Sequence, residues 1–127
     1  MTKGLLIGHG KFPETLLDVA RSILGEIADF QIVSYESSSP KELESKVKEA
    51  LNKLGGGESI IFVDLYGSSG ANICKRLYVS DKNIETICGV SLPMLIKFFK
   101  YRNKLNLKEL VELVKKAGQD EIKKMGS

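Results

Sequence analysis

The sequence has few of the residues that mark several common classes of protein. Its only cysteines, Cys74 and Cys88, are too few and too far apart for a zinc site or a disulfide framework. No apolar run approaches the roughly 18 residues expected of a membrane-spanning helix. The net charge of +3 is modest, and no concentrated basic tract with interleaved aromatic residues points to nucleic acid. These absences favour a cytoplasmic globular protein that does not bind nucleic acid.

What the sequence does contain is an alternation of strand and helix patterns. It predicts strands at 3–7, 30–34, 59–64 and 84–89, and helices at 12–24, 40–54, 71–79, from 93 onward and from 107 to 118. The third strand gives the strongest signal, because its unbroken β-branched run suits a strand that is buried on both faces. The alternation implies βαβ units and a parallel sheet with helices on both sides. We therefore expect residues 1–127 to form a single α/β domain.

Glycines and capping residues set the predicted boundaries. Gly8 is expected to end the first strand and Gly118 to end the last helix. Asn106 and Glu109 are spaced as a capping box at the start of that last helix. In the first helix, helical spacing predicts one apolar face toward the core, formed by Phe12, Leu16, Ala20, Ile23 and Leu24.

The segment Gly8-His9-Gly10-Lys11 follows the first predicted strand and suggests a nucleotide phosphate loop. A Walker A loop ending at Gly10-Lys11 requires glycine at position 5 and serine or threonine at position 12, where the chain has leucine and phenylalanine. A dinucleotide fingerprint starting at Gly8 requires glycine or alanine at position 13, which is Pro13. Both patterns fail. Lys11 is therefore expected to be a solvated turn residue.

His9, the only histidine, is the better candidate for chemistry. In doubly wound sheets, reacting groups gather at the carboxyl ends of the strands, and Asp64 ends the third predicted strand just as His9 follows the first. A carboxylate beside an imidazole fixes its tautomer and stabilises positive charge on the ring. The loop after Asp64 adds hydroxyls, an amide and backbone N–H groups that suit a phosphoryl group, on Ser68, Ser69 and Asn72. Position alone leaves a structural role for Asp64, as a helix cap or loop hydrogen bond, equally open.

Three segments together resemble a known family: GLLIGHG, FVDLYGSSGAN and GVSLPML. In order and spacing, and over nearly the whole chain, they resemble the enzyme IIA component of the mannose/fructose class of the bacterial sugar phosphotransferase system (PTS). The resemblance implies that His9 is the phosphoryl acceptor and that Asp64 orients it. The candidate phosphate-binding residues are Gly10, Gly67, Ser68, Ser69 and Asn72. The resemblance also implies a doubly wound, mainly parallel four-stranded sheet in the order 2-1-3-4, with helices on both faces.

The same resemblance implies the partners. The phosphoryl group would come from the histidine-phosphocarrier protein HPr and leave to an enzyme IIB component for sugar uptake. The membrane would be involved only indirectly, through the IIC/IID permease. A homodimer is expected, in which the C-terminal segment around Ile122 adds a short edge strand to the partner subunit. Neither a cofactor nor a metal is expected.

The sequence departs from the family in the loop that follows Asp64. Where the family loop usually reads Gly-Gly-Ser-Pro, this chain reads Gly67-Ser68-Ser69-Gly70, so that a glycine replaces the proline. Two other functions stay open at this point, the second of them because of this altered loop. One is the phosphotransfer subunit of a PTS-dependent dihydroxyacetone kinase, which resembles this family around its own histidine. The other is a regulatory domain whose phosphorylated state is sensed and not passed on.

Overall fold

A computed structural model describes residues 1–126. The elements in chain order are β1 (Lys3–His9), α1 (Phe12–Leu24), β2 (Phe30–Tyr35), α2 (Pro40–Leu54), β3 (Ser59–Val63), α3 (Ser69–Tyr78), β4 (Ile84–Cys88), α4 (Leu92–Tyr101) and α5 (Leu107–Asp120). Among residues 1–126, no helix combines the length and the apolar character needed to span a bilayer.

The strands form one parallel four-stranded sheet in the order β2-β1-β3-β4. The chain passes from β1 outward to β2 and then returns to add β3 on the opposite side of β1. This arrangement confirms the predicted class and the strand order 2-1-3-4. In such a sheet the crevice between the carboxyl ends of β1 and β3 is the topological switch point, where ligands usually bind.

The two central strands, β1 and β3, are buried on both faces of the sheet. On one side Leu5 and Val63 pack in a cluster with residues of α2 and α3. On the other side Leu6 and Phe62 pack with residues of α1, α4 and α5. Burial on both faces explains the unbroken apolar runs of these strands. It also fixes the positions of the carboxyl ends of these strands, where a site can form.

Several predicted boundaries were close to the observed ones but not identical. β1 continues past Gly8 to His9, because β2 runs beside it and pairs His9 with Tyr35. α3 begins at Ser69 and not at residue 71, because the Ser68 side chain caps it by accepting a hydrogen bond from the Ala71 N–H at 3.2 Å. β3 and β4 each end one residue earlier than predicted.

The predicted core face of α1 was wrong in part. The buried residues of this helix are Pro13, Leu17 and Ala20. Phe12 and Ile23 instead remain 41% and 58% exposed. Apolar residues occupy two neighbouring stripes of α1, and both satisfy helical spacing. The periodicity therefore identifies the helix without deciding which stripe faces the sheet.

The prediction that Gly118 ends the last helix was also wrong, since α5 continues to Asp120. The glycine instead allows α5 to pack closely against α4. A Cβ at position 118 would lie 2.8 Å from Met94 Sδ and 2.9 Å from Met94 Cγ, on α4. The capping box of Asn106 and Glu109 at the start of α5 is present as predicted.

We expect Gly118→Ala to destabilise the protein by roughly 1 kcal/mol, because overpacking against Met94 outweighs the better helix propensity of alanine. In a Met94→Ala background the contact is gone, and the same substitution should stabilise by about 1 kcal/mol. Urea unfolding of the four proteins of this cycle measures both effects. Equal effects of Gly118→Ala in the two backgrounds would show that Met94 does not account for the glycine.

Candidate active site

The ends of β1 and β3 bring His9 and Asp64 to the same edge of the sheet. His9 is the last residue of β1, and Asp64 directly follows β3. The two strands are hydrogen-bonded neighbours, and the Asp64 backbone N–H extends their pairing by donating to the Ile7 carbonyl at 3.2 Å. The residues thus meet at the switch point although 55 positions separate them.

Asp64 holds both the main chain and the ring of His9 through one oxygen. Asp64 Oδ2 lies 2.7 Å from His9 Nδ1 and accepts a hydrogen bond from the His9 backbone N–H at 3.0 Å. An ionised carboxylate can only accept hydrogen bonds, so this contact assigns the proton of the neutral imidazole to Nδ1. The lone pair of the neutral ring then resides on Nε2. The His9 side chain is 52% exposed and that of Asp64 only 14%, so the ring is accessible while the carboxylate is shielded.

The second oxygen of Asp64 takes part in neither contact with His9. Asp64 Oδ1 is buried and has no hydrogen-bond partner among residues 1–126. A partly buried carboxylate with one uncompensated oxygen attracts a neighbouring cation more strongly than a fully solvated one does.

Two free cysteines lie in this region, with Cys88 near the Asp64 carboxylate and Cys74 near Cys88. Burial, and in second place the Asp64 carboxylate, raise the pKa of the Cys88 thiol. Burial, followed by the proximity of Cys88, raises the pKa of Cys74 to about 12. Both thiols are therefore protonated at neutral pH and are poor nucleophiles.

Tyr35 is a component of the site that the sequence analysis missed. It is the last residue of β2 and pairs with His9 in the sheet register. Its ring centroid lies 4.5 Å from that of the imidazole, with the planes inclined by 44°. Its hydroxyl accepts a hydrogen bond from the Gly70 N–H at 3.2 Å. The predicted second strand stopped one residue before Tyr35, so its pairing with His9 could not be recognised.

The residues predicted to bind phosphate are of two kinds: some are exposed, and others already make hydrogen bonds within the protein. Gly67, Ser69 and Asn72 are exposed, and the Ser69 N–H has no acceptor within the described part of the chain. Ser68 is buried and caps α3. The Gly10 N–H donates to the Tyr35 carbonyl at 2.9 Å, so that this amide is already used inside the protein.

Two further features of this edge concern potential metal ligands and the lysine next to the site. Within residues 1–126, no group of three or more histidine, cysteine, aspartate or glutamate side chains is placed to hold a metal ion. Lys11 is exposed at the start of α1, as expected of a solvated turn residue, and takes part in no ion pair with the described residues.

Comparison with known proteins places the chain near sugar-phosphotransferase components. The EIIA-man family, described as "PTS system fructose IIA component", matches residues 4–115. The PTS system fructose-specific EIIA component of Bacillus subtilis is 27% identical over 121 residues, which are 94% of this chain and 83% of that protein. The PTS system mannose-specific EIIAB component of Escherichia coli K12 is 32% identical over 127 residues, which are 97% of this chain but only 39% of that protein. The chain thus spans about two fifths of the E. coli relative.

Solved structures share the fold over nearly the whole chain. A phosphotransferase system component EIIA from Streptococcus agalactiae superposes with a TM-score of 0.89 at 23% identity, covering 98% of this chain and 97% of that one. A mannose/sorbose specific IIA subunit from Enterococcus faecalis gives a TM-score of 0.87 at 23% identity, covering 99% and 96%. At this identity the likeness concerns the fold.

The charge of Asp64 should be measurable at Cys88. Asp64→Asn removes the carboxylate that opposes the thiolate, so the pKa of Cys88 falls and more thiolate is present at pH 8. We expect alkylation of Cys88 by iodoacetamide at pH 8, followed by mass spectrometry, to become at least about twofold faster. Glu85→Gln, which removes an exposed carboxylate from the same strand, is the control and should leave the rate unchanged. An unchanged rate in Asp64→Asn would contradict this electrostatic description.

Proposed function

The chain belongs to the EIIA-man family of PTS fructose IIA components, and we propose that within this family it is a phosphocarrier whose His9 accepts a phosphoryl group on Nε2. The observation that carries the proposal is the 2.7 Å contact between His9 Nδ1 and Asp64 Oδ2. That contact engages one ring nitrogen and leaves the other with a lone pair. The exposed ring is open to a partner protein.

The transfer needs no proton to leave the acceptor. The Nε2 lone pair attacks the phosphorus of a donor phosphohistidine in line, and a new N–P bond forms as the donor's N–P bond breaks. The donor imidazole leaves with the bonding electron pair. The His9 ring then carries positive charge, which the Asp64 carboxylate stabilises across the Nδ1–H bond. Positioning and electrostatic stabilisation provide most of the catalysis, as is usual in phosphoryl transfer.

We infer that the phosphoryl oxygens are received by the loop between β3 and α3 together with the first turn of α3. Gly67, Ser69 and Asn72 are the exposed members of the set, and the Ser69 N–H stands at the positive end of α3. Ser68 and Gly10 belong to the same set but hold the surrounding backbone in place. The Ser68 hydroxyl caps α3, and the Gly10 N–H donates to the Tyr35 carbonyl. The positive end of a helix suits the dianionic group.

The proposal includes the partners expected from the sequence. HPr is the phosphoryl donor, and an enzyme IIB component is the recipient that serves a IIC/IID permease. The name of one relative, an EIIAB component, joins IIA and IIB in one protein, and this supports a IIB recipient. We also propose a cytoplasmic location and a single IIA domain over residues 1–127.

A homodimer is the remaining part of this proposal. After α5 ends at Asp120, residues 121–126 form no strand, and the side chains of Ile122 and Met125 are 86% and 91% exposed. β4 lies at the edge of the sheet with one side unpaired by the described residues. A partner subunit's C-terminal segment, added along this edge, would cover both features.

The test of this function is a transfer assay. Incubation with ³²P-labelled phospho-HPr should give an acid-labile label on the wild-type protein and none on His9→Ala. Asp64→Ala should slow labelling by roughly 10- to 100-fold, the usual cost of losing a partner that orients a reactive histidine. Lys11→Ala is the control and should be labelled at the wild-type rate.

Two outcomes of this assay decide against the proposal. A label that persists in His9→Ala would place the phosphoryl group on another residue. A label that forms on His9 but does not move to any enzyme IIB component would show that the protein is not a phosphocarrier.

A further inference from the structure

We propose that Tyr35 is a positioning residue for transfer at His9, and that the Gly70 N–H holds Tyr35 in place. This inference rests on the proposed phosphoryl transfer. It concerns how the imidazole plane is fixed, which the contact with Asp64 alone does not determine.

Tyr35 is joined to the site by both its main chain and its side chain. The parallel register places it beside His9, and its carbonyl accepts a hydrogen bond from the Gly10 N–H at 2.9 Å. The side chain is only 6% exposed, so its ring has a fixed position against the core. Its distance of 4.5 Å from the imidazole is within the range of direct ring contact.

The contact completes the orientation of His9. A single hydrogen bond at Nδ1 fixes that nitrogen but still allows the ring plane to turn about the bond. The Tyr35 ring, inclined by 44° to the imidazole, occupies one side of it and limits that rotation. A limited range keeps the Nε2 lone pair directed toward the incoming phosphorus, as in-line attack requires. The electron-rich face of Tyr35 also attracts the positive charge that the ring gains.

Gly70 fixes the far end of Tyr35. Its N–H donates to the Tyr35 hydroxyl at 3.2 Å, and it is the second residue of α3. A Cβ at this position would lie 2.8 Å from Ile7 Cγ2 and 3.6 Å from the Tyr35 hydroxyl oxygen. A proline at position 70 would both meet Ile7 and lack the N–H that Tyr35 uses. Tyr35 and Gly70 therefore act as a matched pair linking the α3 loop to the reactive ring.

Single-turnover transfer from phospho-HPr to Tyr35→Leu and Tyr35→Phe tests the role, with kcat defined as the transfer rate constant at saturating phospho-HPr and KM as the half-saturating phospho-HPr concentration. Tyr35→Leu removes the aromatic ring and should lower kcat about tenfold with little change in KM, because orientation and not docking is lost. Tyr35→Phe keeps the ring but frees the Gly70 N–H, and it should lower kcat by about two- to threefold. Because Tyr35→Phe keeps the ring and its packing, the role of the Tyr35 hydroxyl can still be measured even if Tyr35→Leu does not fold.

Val33→Ala is the matched control. Val33 is buried on the same strand and in the same cluster as Tyr35 but has no ring contact with His9. It should lower stability and leave kcat unchanged. A wild-type kcat in both Tyr35 variants, or an equal loss in Val33→Ala, would overturn the proposal.

A second readout separates this inference from the proposed function. His9 is the only histidine, so its ring ¹H resonances are directly identified in NMR spectra of the unphosphorylated protein. They should shift in Tyr35→Leu, through loss of the neighbouring ring current, and stay in place in Val33→Ala. If the wild-type protein accepts no phosphoryl group but the resonances shift, the proposed function fails while the contact stands. Unshifted resonances in Tyr35→Leu would overturn the contact itself.

Discussion

One carboxylate oxygen, Asp64 Oδ2, accepts hydrogen bonds from both the backbone N–H and the ring Nδ1 of His9. This contact joins the ends of two strands and sets the tautomer of the only imidazole in the chain. It forms because β1 and β3 are neighbours and are buried on both faces, which fixes their relative position. The buried core thus determines which ring nitrogen Asp64 engages and which one keeps its lone pair.

The loop after β3 illustrates how a departure from a family pattern is accommodated. The sequence carries Gly70 where the family usually has a proline, which suggests a looser loop. In the structure, Gly70 instead gains an N–H that proline lacks and directs it to Tyr35, while Ser68 caps the helix. The loop is therefore held by specific hydrogen bonds, and the residue that receives one of them packs against His9.

The strand order was predicted from the resemblance to the family. The strand signals before His9 and Asp64 place both residues at the carboxyl ends of parallel strands, so that they share one edge once β1 and β3 are neighbours. Their chemical roles stay predictions. Other features depended on tertiary contacts that local patterns do not encode. A glycine at position 118 looks the same in the sequence whether it ends a helix or makes room for the Met94 side chain on a neighbouring helix. Tyr35 could be connected to His9 only through the register of β1 and β2.

Identifying the ring nitrogen of His9 that carries phosphorus tests most directly whether Asp64 directs the phosphoryl group to Nε2. Protein labelled with ¹⁵N at histidine and phosphorylated by phospho-HPr would show ¹⁵N–³¹P coupling at one nitrogen of His9. Because Asp64 engages Nδ1, we expect the coupling at Nε2. Coupling at Nδ1 would mean that the contact with Asp64 is broken for transfer, and it would contradict the central claim.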